Sequence, residues 1–158
     1  GITGGYLPLS CVMITDEIYG VFYCDYSEGK SFLDSHSYTG NALACAAANA
    51  TLDIFESENI IENNKIKIDM LTALTLRFND LPNVKEVRQR GFIVAIELQG
   101  YAPEKRIGLE IYKYALSHEV LLRPLGNVVY FMPPYIMSEE QLIKMTDVAY
   151  DSIKSLEN

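Results

Sequence analysis

The stretch from Ser35 to Phe55, S-H-S-Y-T-G-N-A-L-A-C-A-A-A-N-A-T-L-D-I-F, narrows most what this chain can fold into. It opens on hydroxyl and turn residues and passes into a run carrying Ala42, Ala44, Ala46, Ala47, Ala48 and Ala50. Alanine is the strongest helix former, and side chains this small let a neighbouring backbone come close. The run predicts a helix laid against a sheet or another subunit. Ser35, Ser37, Tyr38 and Thr39 supply hydroxyls, Gly40 lets the backbone turn, and Asn41 or Thr39 caps the helix. The first turn of a helix presents unpaired N–H groups at the positive end of its dipole, a place where a phosphate can sit. An ordinary capped helix has the same pattern.

The chain has 158 residues, enough for one domain of usual size or for two pieces of a larger architecture. An apolar fraction of 49% with 22% charged residues is that of a globular protein. A net charge of −8 disfavours nucleic acid and anionic membrane surfaces as partners, since both would be repelled at long range. Cys11, Cys24 and Cys45 are odd in number and lack C-x-x-C or Cys/His spacing. They read as reduced thiols of a cytoplasmic protein, with no disulfide framework and no zinc site. Cys45, inside the alanine run, is expected in the core. No apolar run reaches the roughly 20 residues of a membrane span. The chain opens on Gly1-Ile2-Thr3-Gly4-Gly5 without an initiator Met, as expected for the tail of a longer polypeptide.

Taken in order, the glycine-rich start leads into Tyr6–Thr15, apolar enough to predict a buried strand whose first half Pro8 makes an edge or entry segment. Asp16–Tyr26 predicts a short helix capped by Thr15 or Asp16, with Tyr19, Tyr23 and Tyr26 keeping wet hydroxyls along a rim. After the alanine helix, Glu56–Asn64 is a polar break. A long helix then runs to about Asn79, with Ile61, Ile68, Leu71, Thr75 and Phe78 on one stripe, and Leu81-Pro82-Asn83 stops it. Val84–Arg90 and Phe92–Leu98 predict two strands joined through Gly91. Glu104–His118 predicts a helix with Ile107, Ile111, Tyr114 and Ala115 inward, and Val128–Met132 a strand of β-branched and aromatic residues. Ser138-Glu139-Glu140-Gln141 has capping-box form ahead of a helix with Leu142, Met145, Ala149, Ile153 and Leu156 on one face. The order strand–strand–helix–strand–helix from Val84 onward describes a small α/β domain.

Four segments carry a resemblance. Thr3-Gly4-Gly5-Tyr6-Leu7-Pro8-Leu9-Ser10 resembles the segment following the catalytic lysine of class III pyridoxal-phosphate-dependent aminotransferases, enzymes of fold type I. Gly40-Asn41-Ala42-Leu43-Ala44-Cys45-Ala46 resembles their G-N-P-L-A-C-A helix, with alanine where proline is usual. Arg88-x-x-Gly91 with Ile96-Glu97 resembles the opening of their C-terminal domain. Arg123-Pro124-Leu125-Gly126-Asn127 with Tyr130-Phe131-Met132-Pro133-Pro134-Tyr135 is similar to the biotin-synthesis branch, which delivers an amino group to 8-amino-7-oxononanoate. The resemblance implies an α/β architecture in which Gly1–Ser57 ends the large cofactor-binding domain. Glu58–Asn158 then forms the small C-terminal domain, including a long interdomain helix.

The same resemblance implies site roles. Ser37 stands where the family binds the phosphate of pyridoxal 5′-phosphate from the neighbouring subunit of a dimer; relatives often have threonine there, and serine keeps the hydroxyl donor. His36 replaces a frequent proline and helps through its backbone, while Thr39 is a second hydroxyl. Arg123 corresponds to the arginine that holds the substrate carboxylate, a task suited to a planar guanidinium that forks onto two oxygens. Tyr130 and Gly1 are placed with the substrate. Out of this context, an arginine beside Leu and Pro reads as a surface ion-pair partner worth under about 1 kcal/mol, and a sheet tyrosine as core. The family's Schiff-base lysine would precede Gly1, so the chain by itself is expected to be inactive. The amino donor is expected to be S-adenosylmethionine or lysine. A transaminase for ω-amino acids, ornithine or 4-aminobutyrate shares the first two segments and is the alternative inside the class; a non-catalytic dimerisation or binding module is the alternative outside it.

Overall fold

The computed structural model describes residues 1–157; Asn158, the last residue of the expected second domain, lies outside them. The chain divides into two compact units, Gly1–Ile60 and Ile61–Asn158.

The first unit holds two helices and little else that is regular. Helix α1 (Asp16–Phe22) starts at Thr15, whose hydroxyl accepts from the Ile18 N–H, and Asp16 and Glu17 favour its positive end. Helix α2 (Ala42–Ser57) is the expected alanine-rich helix. It buries Ala44 and Ala48, one turn apart on a single stripe, and leaves Leu43, Leu52 and Ile54 exposed. Cys45, one position past Ala44, turns away from that stripe and is exposed, contrary to the core placement expected. Tyr6–Thr15 is not a strand. It bends at Tyr6 and Leu7 and has no regular secondary structure beyond them, and Val12 and Met13 are 84% and 89% exposed. Apolar composition makes such a stretch fit for a sheet, but a strand exists only by pairing, and among the described residues none pairs with it. Tyr19, Tyr23 and Tyr26 are exposed as expected, with Tyr19 and Tyr23 stacked at 5.3 Å.

Helix α3 (Ile60–Asn63) is a single turn. In the second unit, α4 (Lys65–Thr75) tightens into a 3₁₀ turn over Leu76–Asp80 instead of running as one α-helix to Asn79. Leu71, Thr75 and Phe78 of the expected stripe are buried, whereas Ile61 is exposed. Strands β1 (Val84–Arg90) and β2 (Ile93–Leu98) form a hairpin in which Gly91 takes φ +55°, a conformation costly for any residue with a Cβ. Helix α5 spans Ile107–Ser117, β3 spans Val128–Phe131, and α6 spans Glu139–Lys154. Helix α5 starts three residues later than the sequence suggests, because Arg106 takes a left-handed conformation (φ +49°) that separates it from the Pro103–Lys105 turn. The capping box at α6 is present: Ser138 Oγ accepts from the Gln141 N–H, and Gln141 Oε1 accepts from the Ser138 N–H.

The sheet is antiparallel in the order β1-β2-β3. Val94, Ile96 and Leu98 of β2, with Val129 and Phe131 of β3, share a core with Leu71 and Phe78, with Ile107, Ile111 and Ala115 of α5, and with Leu142, Ala149 and Ile153 of α6. Period-2 burial along the strands meets period-3.6 burial along the helices, and that match makes one face of the sheet dry. The register sets Arg88, Ala95 and Tyr130 side by side across the three strands, on the face away from this core.

Candidate functional site

In the first unit, His36, Ser37 and Thr39 come together in one exposed turn at the head of α2. The His36 N–H donates to Thr39 Oγ1 (2.9 Å) and the Thr39 N–H donates back to the His36 carbonyl (2.9 Å). Thr39 is therefore occupied in shaping the turn, and the cap of α2 is Asn41, whose Oδ1 accepts from the Ala44 N–H at 3.0 Å. Gly40 takes φ +69° between them, the left-handed step that lets the turn enter the helix. His36 contributes its main chain to this arrangement, and its side chain stands at the surface. Thr39 accepts through its oxygen and keeps its own proton; the Ser37 hydroxyl engages no partner among the described residues. From Ser35 to Gly40 there is no carboxylate. Two hydroxyl donors on a turn free of negative charge, at the start of a 16-residue helix, form a donor set that fits a phosphate ester. Gly1 lies elsewhere in the unit. Its carbonyl accepts from the Gly4 N–H at 2.9 Å in a loop that Thr3 Oγ1 closes on the Leu7 carbonyl (2.5 Å), with Gly4 beside Thr51 of α2.

In the second unit, Arg123 and Tyr130 line one cleft of about 150 Å³ together with Met132, Pro133 and Met137. Arg123 sits just before the turn that starts β3. Leu125 and Val128 close that turn with reciprocal backbone hydrogen bonds of 2.7 and 3.0 Å. The guanidinium is exposed and, among the described residues, forms no ion pair. Other cations of the unit are engaged: Lys85 and Arg88 on Glu97, Arg77 on Asp147, Lys113 on Glu110 and Lys144 on Glu119. The surface salt bridge that composition alone suggests for Arg123 is thus not formed. Tyr130 is half-buried on β3, next to Ala95 and in the same row as Arg88.

Arg123 also borders a larger cavity of about 430 Å³, shared with Arg106, Tyr112, Pro124 and Gly126. No motif or spacing in the sequence points to Arg106 or Tyr112 as lining residues. Arg106 stands outside the helix in a left-handed conformation, so no helical periodicity points to its direction. Among the described residues no helix is long and apolar enough to cross a membrane.

Residues 1–153 match the family model of the class-III aminotransferases, and the chain belongs to that family, whose members are pyridoxal-phosphate-dependent. It is 48% identical over 154 residues to the adenosylmethionine-8-amino-7-oxononanoate aminotransferase of Helicobacter pylori, covering 91% of this chain and 34% of that protein. The crystal structure of the enzyme of the same name from Methanocaldococcus jannaschii superposes with a TM-score of 0.94 at 40% identity, over 98% of this chain and 37% of that one. An amine transaminase from an uncultivated Pseudomonas species, in its PLP-bound form, superposes at 0.87 with 28% identity over 98% of this chain and 37% of that one. The fold is that of the PLP-dependent transaminases. The chain spans about a third of the length of the curated relatives it matches, 34% of the Helicobacter pylori protein and 35% of the full Methanocaldococcus jannaschii sequence.

Proposed function

We propose that this chain serves in a transaminase that uses pyridoxal 5′-phosphate to deliver an amino group to 8-amino-7-oxononanoate, giving 7,8-diaminononanoate. In this reading Gly1–Ser57 belongs to the large cofactor-binding domain and Glu58–Asn158 to the small C-terminal domain of a cytoplasmic homodimer. The observation that carries it is the state of Arg123. An exposed guanidinium, without an ion-pair partner among the described residues and beside a half-buried tyrosine in an apolar-walled cleft, is what a substrate with a carboxylate far from its reacting ketone requires. The names of the relatives at 48% and 40% identity point the same way.

Each residue then has a defined task. Arg123 binds the distant carboxylate in two parallel hydrogen bonds and so fixes how far the ketone reaches. Tyr130 packs along the aliphatic part of the acceptor and shields it from water. Ser37 and Thr39 donate to the phosphate of the cofactor, and the head of α2 adds a favourable dipole. When bound, the cofactor supplies the electron-withdrawing ring that carries the amino group between donor and acceptor.

The test is a pair of half-reactions on the cofactor-loaded, full-length enzyme. S-adenosylmethionine, lysine, ornithine and 4-aminobutyrate are offered in turn, and the cofactor absorbance reports which of them gives up its amino group. Adding 8-amino-7-oxononanoate to the aminated enzyme is expected to restore the starting spectrum. If the oxononanoate leaves the spectrum unchanged while another keto acid or an aldehyde restores it, the acceptor assignment is wrong.

A further inference from the structure

The turn that carries Arg123 lies against the first residues of α5, and a single glycine sets the distance between them. Gly108 is the second residue of α5 and is buried. A Cβ placed on it would lie 2.6 Å from the Gly126 carbonyl oxygen, 2.8 Å from Pro124 Cβ and 3.3 Å from Pro124 Cγ. The atoms it meets are a backbone oxygen and the carbons of a proline ring, neither of them the movable end of a long side chain.

The turn has little freedom to yield. Leu125 and Val128 bond each other reciprocally, the Leu98 N–H donates to the Asn127 carbonyl (2.8 Å), and Asn127 Nδ2 donates to the Tyr101 carbonyl (2.9 Å). Gly108 has no left-handed φ, so the need here is for space, not for an unusual backbone. Helix propensity alone favours alanine at such a position. The absence of a side chain therefore coincides with a close approach between α5 and the Pro124–Gly126 turn. Gly108, Pro124 and Gly126 line the same cavity as Arg123.

We propose that Gly108 is a positioning residue for Arg123: by letting the Pro124–Gly126 turn seat on α5, it holds the guanidinium where the acceptor carboxylate arrives. The inference rests on the reading of Arg123 as the carboxylate anchor. A side chain at 108 pushes the turn away from the helix and carries the root of Arg123 with it. Two-point recognition of a planar carboxylate tolerates such a displacement poorly.

The test compares Gly108→Ala, Arg123→Met and the double variant in the cofactor-loaded, full-length enzyme. The acceptors are 8-amino-7-oxononanoate and its methyl ester, which lacks the carboxylate charge. Gly108→Ala is expected to raise KM for the acid about tenfold or more while leaving kcat and the ester's KM within about twofold. The double variant is expected to be no worse toward the acid than Arg123→Met, because both changes remove one interaction. Calorimetric binding of the acid is expected to weaken in the same order. Equal losses for acid and ester, or effects that simply add, overturn the inference and reduce Gly108 to general packing. If Arg123→Met weakens the acid and Gly108→Ala does not, the positioning role alone fails. If Arg123→Met keeps the wild-type KM, the anchor assignment fails and the inference with it. Should Gly108→Ala not fold, Pro124→Gly frees the same turn from the other side. An acid-selective rise in KM then supports the proposal, and an unchanged KM overturns it.

Discussion

Arg88 and Glu97 are diagonal neighbours across the β1–β2 hairpin, with Arg88 Nη1 2.6 Å from Glu97 Oε2. Glu97 Oε1 accepts from Lys85 at 2.5 Å, and Arg88 also bonds Glu86, so two cations and two carboxylates form one network on the outer face of the sheet. The hydrogen bond from Arg88, followed by that from Lys85, lowers the Glu97 pKa from 4.5 to about 2. A carboxyl held low in the folded state adds stability that is fully present above its unfolded pKa and is lost as pH falls through the folded value. The window is therefore from about pH 4.5 down to about 2. Glu97→Gln is expected to flatten the loss of stability across that window relative to wild type. Urea unfolding midpoints at pH 5, 4 and 3 measure it, and parallel pH dependences in the two proteins would show the network to be inert.

Arg123→Lys keeps the charge and discards the fork. Hydrogen bonds to charged groups contribute about 1.5–3 kcal/mol each, so losing one of two corresponds to a rise in KM for 8-amino-7-oxononanoate of roughly ten- to a hundredfold. Turnover at saturation is expected to change far less. Steady-state kinetics with the full-length enzyme separate the two parameters, and a lysine variant with wild-type KM would mean that charge alone suffices.

Ser37→Ala removes a hydroxyl donor without touching the turn, since the bonds that shape it run between His36 and Thr39. Loss of one charge-assisted hydrogen bond is expected to weaken cofactor retention by about 1.5–3 kcal/mol. Ser37→Thr is expected to retain it. Titration of apoenzyme with pyridoxal phosphate, followed by absorbance or fluorescence, decides between them. Equal affinities for wild type and Ser37→Ala would remove Ser37 from the phosphate site.

Ser138→Ala dismantles the capping box of α6, the helix that places Leu142, Ala149 and Ile153 in the core. The expected cost is about 0.5–2 kcal/mol of stability with no effect on acceptor KM. Chemical unfolding of the variant beside wild type measures the first, and kinetics the second.

The second unit was largely legible because its signals are local. The two strand-like runs Val84–Arg90 and Phe92–Leu98, the glycine between them, the capping box at Ser138 and the helical stripe of Leu142, Met145, Ala149 and Ile153 are all written within a few residues of where they act. The sequence offers both Asn41 and Thr39 as the cap of α2, and only the structure separates them, because both are sound capping types and Thr39 is claimed by His36.

The sequence by itself determined which segments are helix or strand in the second unit, the family, and the residues that match its site motifs. The elements follow from short-range periodicity, and the family and the matching residues from the resemblance of four segments to its motifs. Tertiary structure alone decided that, among the described residues, Tyr6–Thr15 pairs with no strand and Arg123 has no carboxylate partner, that Cys45 faces outward, and that Gly108 admits the Pro124–Gly126 turn. Each depends on what another part of the chain brings near. Such distances are set by packing among residues far apart in sequence, which no local pattern encodes.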